Sequence, residues 1–271
     1  MVVMLAALAA AAQAAPPAKE KAAGGAVKKA PPLRSEEKAK LNKDLTVANE
    51  AAAVAAAKRL GEAADPTAVP MLIEALSLGT SPTVAAEILA ALGMLRDARA
   101  VPVLALHAGN RNVPVRHAAV KALGGIPSDE GTAVLLDRLG DQEGQVRSAA
   151  AEGLAARKVA RAVPRLLKLV ARSDAGAAPA LGALIPADEV PRLAELTGQI
   201  DEGVLTAACA AVLARADMPD PARVEMVRSL ARMSGAAATA ALTEYAARAP
   251  ANDARPSRAE AQKALDRRGG K

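Results

Sequence analysis

Few residues in this 271-residue chain carry side chains suited to acid–base, nucleophilic or metal chemistry, and those few are scattered. The two histidines, His107 and His117, have no cysteine and no carboxylate cluster around them. Zinc sites need three or four ligands drawn from His, Cys and carboxylate, so two lone imidazoles make a poor metal site. Both read as polar residues near a turn. Cys209 is the single cysteine and lies in the run Thr206-Ala-Ala-Cys-Ala-Ala-Val. One thiol allows neither an internal disulfide nor a Cys-based zinc site. With no His or basic residue within a helical turn to activate it, Cys209 reads as a small buried apolar side chain. Adjacent carboxylates occur at Asp129-Glu130 and Asp188-Glu189. Both fall where helices are expected to begin, and there they favour the positive end of the helix dipole over acid–base work. The chain has no Gly-x-Ser-x-Gly elbow and no phosphate-binding loop, and Gly24-Gly25 and Gly124-Gly125 read as turn or cap glycines. No catalytic, metal or cofactor residue is assigned.

Composition indicates what must position these residues. The chain is 52% hydrophobic and 24% charged, yet it has no Phe, no Trp and one Tyr. About a quarter of it is Ala, the best helix former, whose small side chain lets backbones approach closely. Close-packed helices follow, and an all-β sandwich or barrel is excluded. The formal charge of +6 belongs to the ends. Residues 16–44 carry net +4 and residues 254–271 carry net +4, which leaves about −2 for the stretch between.

Residues 1–12 form an unbroken apolar run. It is shorter than the roughly twenty residues a membrane-spanning helix needs, but it fits the core of a secretory signal. Ala12-Gln13-Ala14 supplies the small-x-small pattern for cleavage after Ala14, although no Lys or Arg precedes the run. The expected division is a signal peptide at 1–14, a disordered Pro/Ala/Lys-rich linker at 15–43, a folded unit at 44–250 and a basic helix or tail at 251–271. Export implies a periplasmic or secreted protein, and a packed N-terminal helix in place of a signal implies a cytoplasmic one.

The folded unit repeats. Val-Pro recurs at Val69-Pro70, Val101-Pro102, Val163-Pro164 and Val190-Pro191, with Ala133-Val134 in the gap, at steps of 32, 32, 30 and 27. A second marker keeps phase: Leu60-Gly61, Leu92-Gly93, Leu123-Gly124, Leu154-Ala155, Leu181-Gly182 and Leu213-Ala214. A fixed period of about thirty residues is the mark of a repeat architecture. Each period reads as two helices. The first opens on Val-Pro, since proline is tolerated in a first helical turn, and carries leucines at helical spacing. The second is Ala-rich and ends at Leu-Gly, where the glycine is expected to form a left-handed C-terminal cap.

Asp97-Ala-Arg99-Ala-Val-Pro102-Val-Leu104, followed by Val115-Arg116-x-Ala118-Ala119-x-x-Ala122-Leu123-Gly124, resembles the short HEAT-like repeat of the phycobilin-lyase type. The resemblance extends over about residues 45–242. It implies an all-α fold, a right-handed α-solenoid of about six to seven helix pairs, opened by a partial cap over residues 46–61. Ser257-Arg-Ala-Glu260 reads as a capping box that opens a last charged helix. Leu60, Leu92, Leu123 and Leu154 are expected in the inter-repeat core. In such families an Asp in the turn pairs with the Arg after Val to form a ladder between repeats. Asp141 and Arg147 match that spacing, Asn110 and Arg116 match it with Asn for Asp, and Ala85 and Leu205 stand where the arginine is lost.

The resemblance also offers functions to weigh. A bilin-lyase activity needs a largely apolar and aromatic pocket for a tetrapyrrole, and Tyr245 is the only ring. The HEAT-like di-iron hydroxylases depend on repeated His-Glu pairs, and the chain has no His-Glu dipeptide. Nucleic-acid binding is the main rival; it would rest on the basic ends, because rings for base stacking are absent. The favoured expectation is a non-catalytic adaptor without cofactor, whose second helices present a concave face to a protein or peptide partner. Arg116, His117, Lys121, Arg147 and Glu152 are the candidate contacts, with the two arginines equally candidates for the ladder.

Overall fold

The computed structural model describes residues 33–47, 49–248 and 255–269. Among them every regular element is helical. The signal-peptide reading of residues 1–14 lies outside the described residues.

Seven helix pairs follow one another and a single helix closes the array. They are α1 (Ser35–Thr46) with α2 (Glu50–Glu62), α3 (Val69–Ser77) with α4 (Pro82–Leu95), and α5 (Val101–His107) with α6 (Val113–Gly125). Then come α7 (Asp129–Arg138) with α8 (Gly144–Ala156), α9 (Val163–Val170) with α10 (Ala178–Leu184), α11 (Val190–Ala194) with α12 (Glu202–Ala214), and α13 (Asp220–Arg232) with α14 (Ala236–Ala247). The closing helix is α15 (Pro256–Gly269).

The local chemistry accounts for the starts. Val-Pro opens α3, α5, α9 and α11, each preceded by one turn of 3₁₀ helix. The fourth repeat dispenses with that device. The Ser128 hydroxyl accepts the Gly131 N–H at 3.0 Å, so α7 starts earlier and Ala133-Val134 falls inside it. Four second helices are capped by the side chain of the N-cap residue: Asn49 for α2, Ser81 for α4, Asn112 for α6 and Asp201 for α12.

The Leu-Gly marker does a different job from the one expected. Gly93 and Gly124 sit within their helices and are not left-handed. The left-handed residues come later, at Ala64, Arg96 and Lys158, with φ of 52°, 52° and 53°. The glycines serve close approach instead. A Cβ on Gly93 would lie 2.8 Å from the Ala122 Cβ, and one on Gly124 would lie 2.9 Å from the Gly153 Cα. The flanking positions Ala91, Ala122 and Gly153 are the small residues met from the preceding repeat. Adjacent second helices therefore touch backbone to backbone, and they form the tighter of the two rows. The leucine between the small residues points the other way. Leu60, Leu92, Leu123 and Leu154 are fully buried.

Both ends need correction. The first pair is complete: α1 begins at Ser35, inside the stretch read as linker, and Leu33 and Leu45 are buried against the array. Glu37 on α1 accepts from Arg59 of α2 at 3.0 Å. At the other end, the expected last helix is present as α15 and packs on α13 and α14, but it does not open as expected. Ser257 stands inside the helix and does not form the expected capping box; its hydroxyl bonds the Tyr245 hydroxyl at 2.7 Å and Asp220 Oδ1. Asp220 of α13 supplies the cap, its Oδ2 accepting the Ser257 N–H at 3.1 Å.

Candidate partner-binding face

The arginines after Val in α6 and α8 are consumed by the ladder. Arg116 donates from Nε and Nη2 to the two Asp141 oxygens at 2.8 and 3.0 Å, and from Nη1 to the Asn110 carbonyl at 2.8 Å. Arg147 donates from Nε to Asp174 at 2.6 Å and from Nη1 to the Asp141 and Gln142 carbonyls at 2.9 and 2.8 Å. Each guanidinium thus ties its own turn to the carboxylate of the next repeat. The expected Asp141–Arg147 match is made through a backbone carbonyl only, because the Asp141 carboxylate belongs to Arg116. Asp174, the partner of Arg147, escaped the sequence reading. Its signal was present, since it stands 33 residues after Asp141 and its side chain likewise bonds the turn that follows. Asn110 faces a repeat with Ala85 at the arginine position, so no cation there lacks a carboxylate.

The Asp141 side chain is 4% exposed. Desolvation is the largest influence on its carboxyl and pushes the pKa up. The Arg116 hydrogen bond, the Glu143 N–H and the charges of Arg116 and Arg138 outweigh it and hold the group below its ordinary value. The same pairing raises the Arg116 guanidinium.

The other three candidates lie on the exposed side of the second helices. His117 is half-buried and Lys121 exposed on α6. They share a shallow groove with Ala90, Gly93, Met94 and Arg96 from α4 and Ala118, Ala122 and Gly125 from α6. Glu152 is exposed on α8, where its carboxylate accepts from Ser148 at 3.1 Å. The structure therefore brings His117 and Lys121 together, keeps Glu152 on the neighbouring helix and removes Arg116 and Arg147 from the free surface. Met94, 45% exposed, is the apolar member that sequence reasoning missed. It follows the Leu-Gly marker, at a place held by Gly125 one repeat later.

Many further arginines close helix ends of a neighbouring element. Arg157 donates to the Ser128 carbonyl at 2.7 Å, Arg223 to the Arg215 carbonyl at 2.7 Å and Arg268 to the Leu230 carbonyl at 2.7 Å. Arg258 lies 3.6 Å over the Tyr245 ring. The basic C-terminal region is thus partly spent on docking α15. Cys209 is fully buried, and desolvation pushes its thiol up to about 12, far from a thiolate at neutral pH. Burial pulls His107 below its ordinary value, since desolvation disfavours the charged imidazolium. Among the described residues no group of three or more His, Cys, Asp and Glu could hold a metal ion. No described helix is long and apolar enough to cross a membrane.

A family model of HEAT repeats matches residues 43–124 and 105–178, together half of the chain. The chain belongs to the HEAT-repeat family. Among curated proteins no relative matches it. Solved structures similar to this HEAT-repeat chain include the CpcE and CpcF complex of phycocyanin lyase from Nostoc sp. PCC7120, at 19% identity and TM-score 0.48, covering 89% of this chain and 97% of that one. Human deoxyhypusine hydroxylase in complex with glycerol is 21% identical at TM-score 0.41, over 87% of this chain and 97% of that one. An engineered protein is 23% identical at TM-score 0.45, over 86% and 72%. As a HEAT-repeat array, the chain has a repeat fold compatible with a scaffold. The paired small residues of adjacent second helices are how this sequence builds the array.

Proposed function

We propose that the chain is a non-catalytic scaffold of the bacterial cell envelope, exported and processed after Ala14, which presents its row of second helices to a protein or peptide partner. One observation carries this reading. The charged groups Arg116, Arg147, Asp141 and Asp174 are spent on joining repeats, whereas the outward side of α6 and α8 carries small residues with sparse polar groups such as His117, Lys121 and Glu152. Stacked helix pairs give extended faces of this kind, and a shared fold does not bring an activity with it. His117, Lys121 and Glu152 are the contacts retained from the sequence.

Photo-crosslinking in intact cells tests it. A photoreactive residue at Ala118, on the second-helix face, should trap a protein partner, and one at Leu106, on the exposed side of a first helix, should not. The trapped species should contain a chain that begins at Ala15 by mass. Crosslinks confined to Leu106, to nucleic acid, or to a chain with its N-terminus intact would overturn the corresponding part of the reading.

A further inference from the structure

The groove between α4 and α6 combines two properties. Its floor is smooth and apolar. Gly93 and Gly125 have no side chain, Ala90, Ala118 and Ala122 have one carbon each, and Met94, 45% exposed, lines the edge with its terminal methyl against Gly61 of α2. Its rim is cationic and unspent. Arg96, His117 and Lys121 line it, and none of the three makes an ion pair or a side-chain hydrogen bond with another described residue. That contrasts with Arg116 one residue away, which has a carboxylate and a carbonyl. Arg96 is placed there by the turn itself. It is the left-handed residue that ends α4, so the chain reverses at the groove and leaves the guanidinium at its edge.

We propose that this groove docks a short acidic peptide segment that carries an apolar side chain beside its carboxylates; the proposal rests on the scaffold reading above and narrows its partner. The guanidinium and ammonium groups have donors free for carboxylates, and the His117 ring donates an N–H in either protonation state. An unbranched apolar side chain meets Met94, whose flexible thioether adapts to the shape that arrives. Charge complementarity at a rim of this kind selects the partner and speeds its arrival. A peptide is favoured over a nucleic acid because the positive zone is short. The next second helix presents Glu152 where an extended polyanion would continue, and no Phe, Tyr or Trp lines the groove for a base to stack on.

The test is fluorescence anisotropy with the full chain and a fluorescein-labelled peptide of alternating Glu and Leu. Comparators are a Lys and Leu peptide, an all-Glu peptide and single-stranded oligo-dT of similar length. The Glu and Leu peptide should bind saturably, the all-Glu peptide more weakly and the Lys and Leu peptide not at all. The double variant R96E with K121E should weaken binding about ten-fold or more, since a rim of opposite charge becomes a rim of like charge. Met94→Ser should weaken it several-fold, and Lys168→Glu on α9 should leave it unchanged. All variants are exposed, and their helical melts should match the parent. The proposal is overturned if the Glu and Leu peptide does not bind, if R96E with K121E binds it like the parent, or if oligo-dT competes for the same groove. Should a partner still crosslink at Ala118 in any of those cases, the scaffold reading stands and only the acidic-peptide proposal falls. Loss of the crosslink itself would remove the reading beneath it.

Discussion

At the scale of single residues, Asp141 shows how much one carboxylate holds. It receives two donors from Arg116 of the preceding repeat and the Glu143 N–H of its own turn, so it fixes a turn and a repeat junction together. Asp141→Asn keeps the shape but removes the charge, and it should cost about 2–4 kcal/mol, the range for disturbing a buried, hydrogen-bonded ion pair. The sign of the pH dependence follows from the depressed carboxyl. Its stabilisation is present above the ordinary value of 3.8 and is lost as the pH falls through the folded value. The gap in melting temperature between parent and Asp141→Asn should therefore be widest near neutrality and close in acid; a gap that is constant down to the most acidic buffer would disprove the assignment. The pair was half legible in the sequence. The six-residue spacing from Asp141 to Arg147 identifies both ladder members, but a period near thirty places the same arginine within reach of two acids, one in its own turn and one in the next. Only packing decides between them, and it chose Asp174.

At the scale of elements, the helices announce themselves through Val-Pro, caps and leucine spacing, and the glycines mislead. A glycine after a terminal leucine suits a left-handed cap, and the sequence alone does not distinguish that use from close helix contact. The structure separates them, because Ala64, Arg96 and Lys158 take the left-handed place while Gly93 and Gly124 touch the next helix. Gly124→Val is a direct test. The added carbons would meet Gly153 backbone 2.9 Å away, with no flexible side chain to give. A loss of about 1–3 kcal/mol or more is expected from overpacking, read as a lower midpoint in denaturant. Gly79→Ala provides the contrast, since its positive φ of 85° strains an open turn without any clash. A Gly124→Val variant as stable as the parent would show that the second helices do not meet there. The sequence concealed α1 for another reason. Half of its twelve residues are Lys, Glu or Asn, and the apolar signal reduces to Leu41 and Leu45. Its docking depends on a few buried groups and on the Glu37–Arg59 pair, which leave no clear period.

At the scale of the whole molecule, stability is close to a sum of repeats and of the junctions between them. Leu123, fully buried near the end of α6, belongs to the core of the third repeat and meets the fourth at Gly131 of α7. Leu123→Ala should cost about 2–5 kcal/mol. Because the loss sits in mid-array, the expected melt is lower and broader, with the two halves beginning to separate. Glu152→Ala, on the exposed side of α8, should melt like the parent. A Leu123→Ala variant that melts like the parent beside a destabilised Glu152→Ala would reverse the assignment of inner and outer faces.

The direct contact between successive second helices has a mechanical consequence. Where Gly93 meets Ala122 and Gly124 meets Gly153, no side chain larger than the Ala122 methyl remains to be compressed, so these points resist drawing closer and act as fulcrums. The first helices meet more sparsely. A load applied along the array is then taken up on that outer side, each repeat tilting about its fulcrum by a small angle. The angles add with the number of repeats, so a molecule that is rigid at every junction is a spring over its full length.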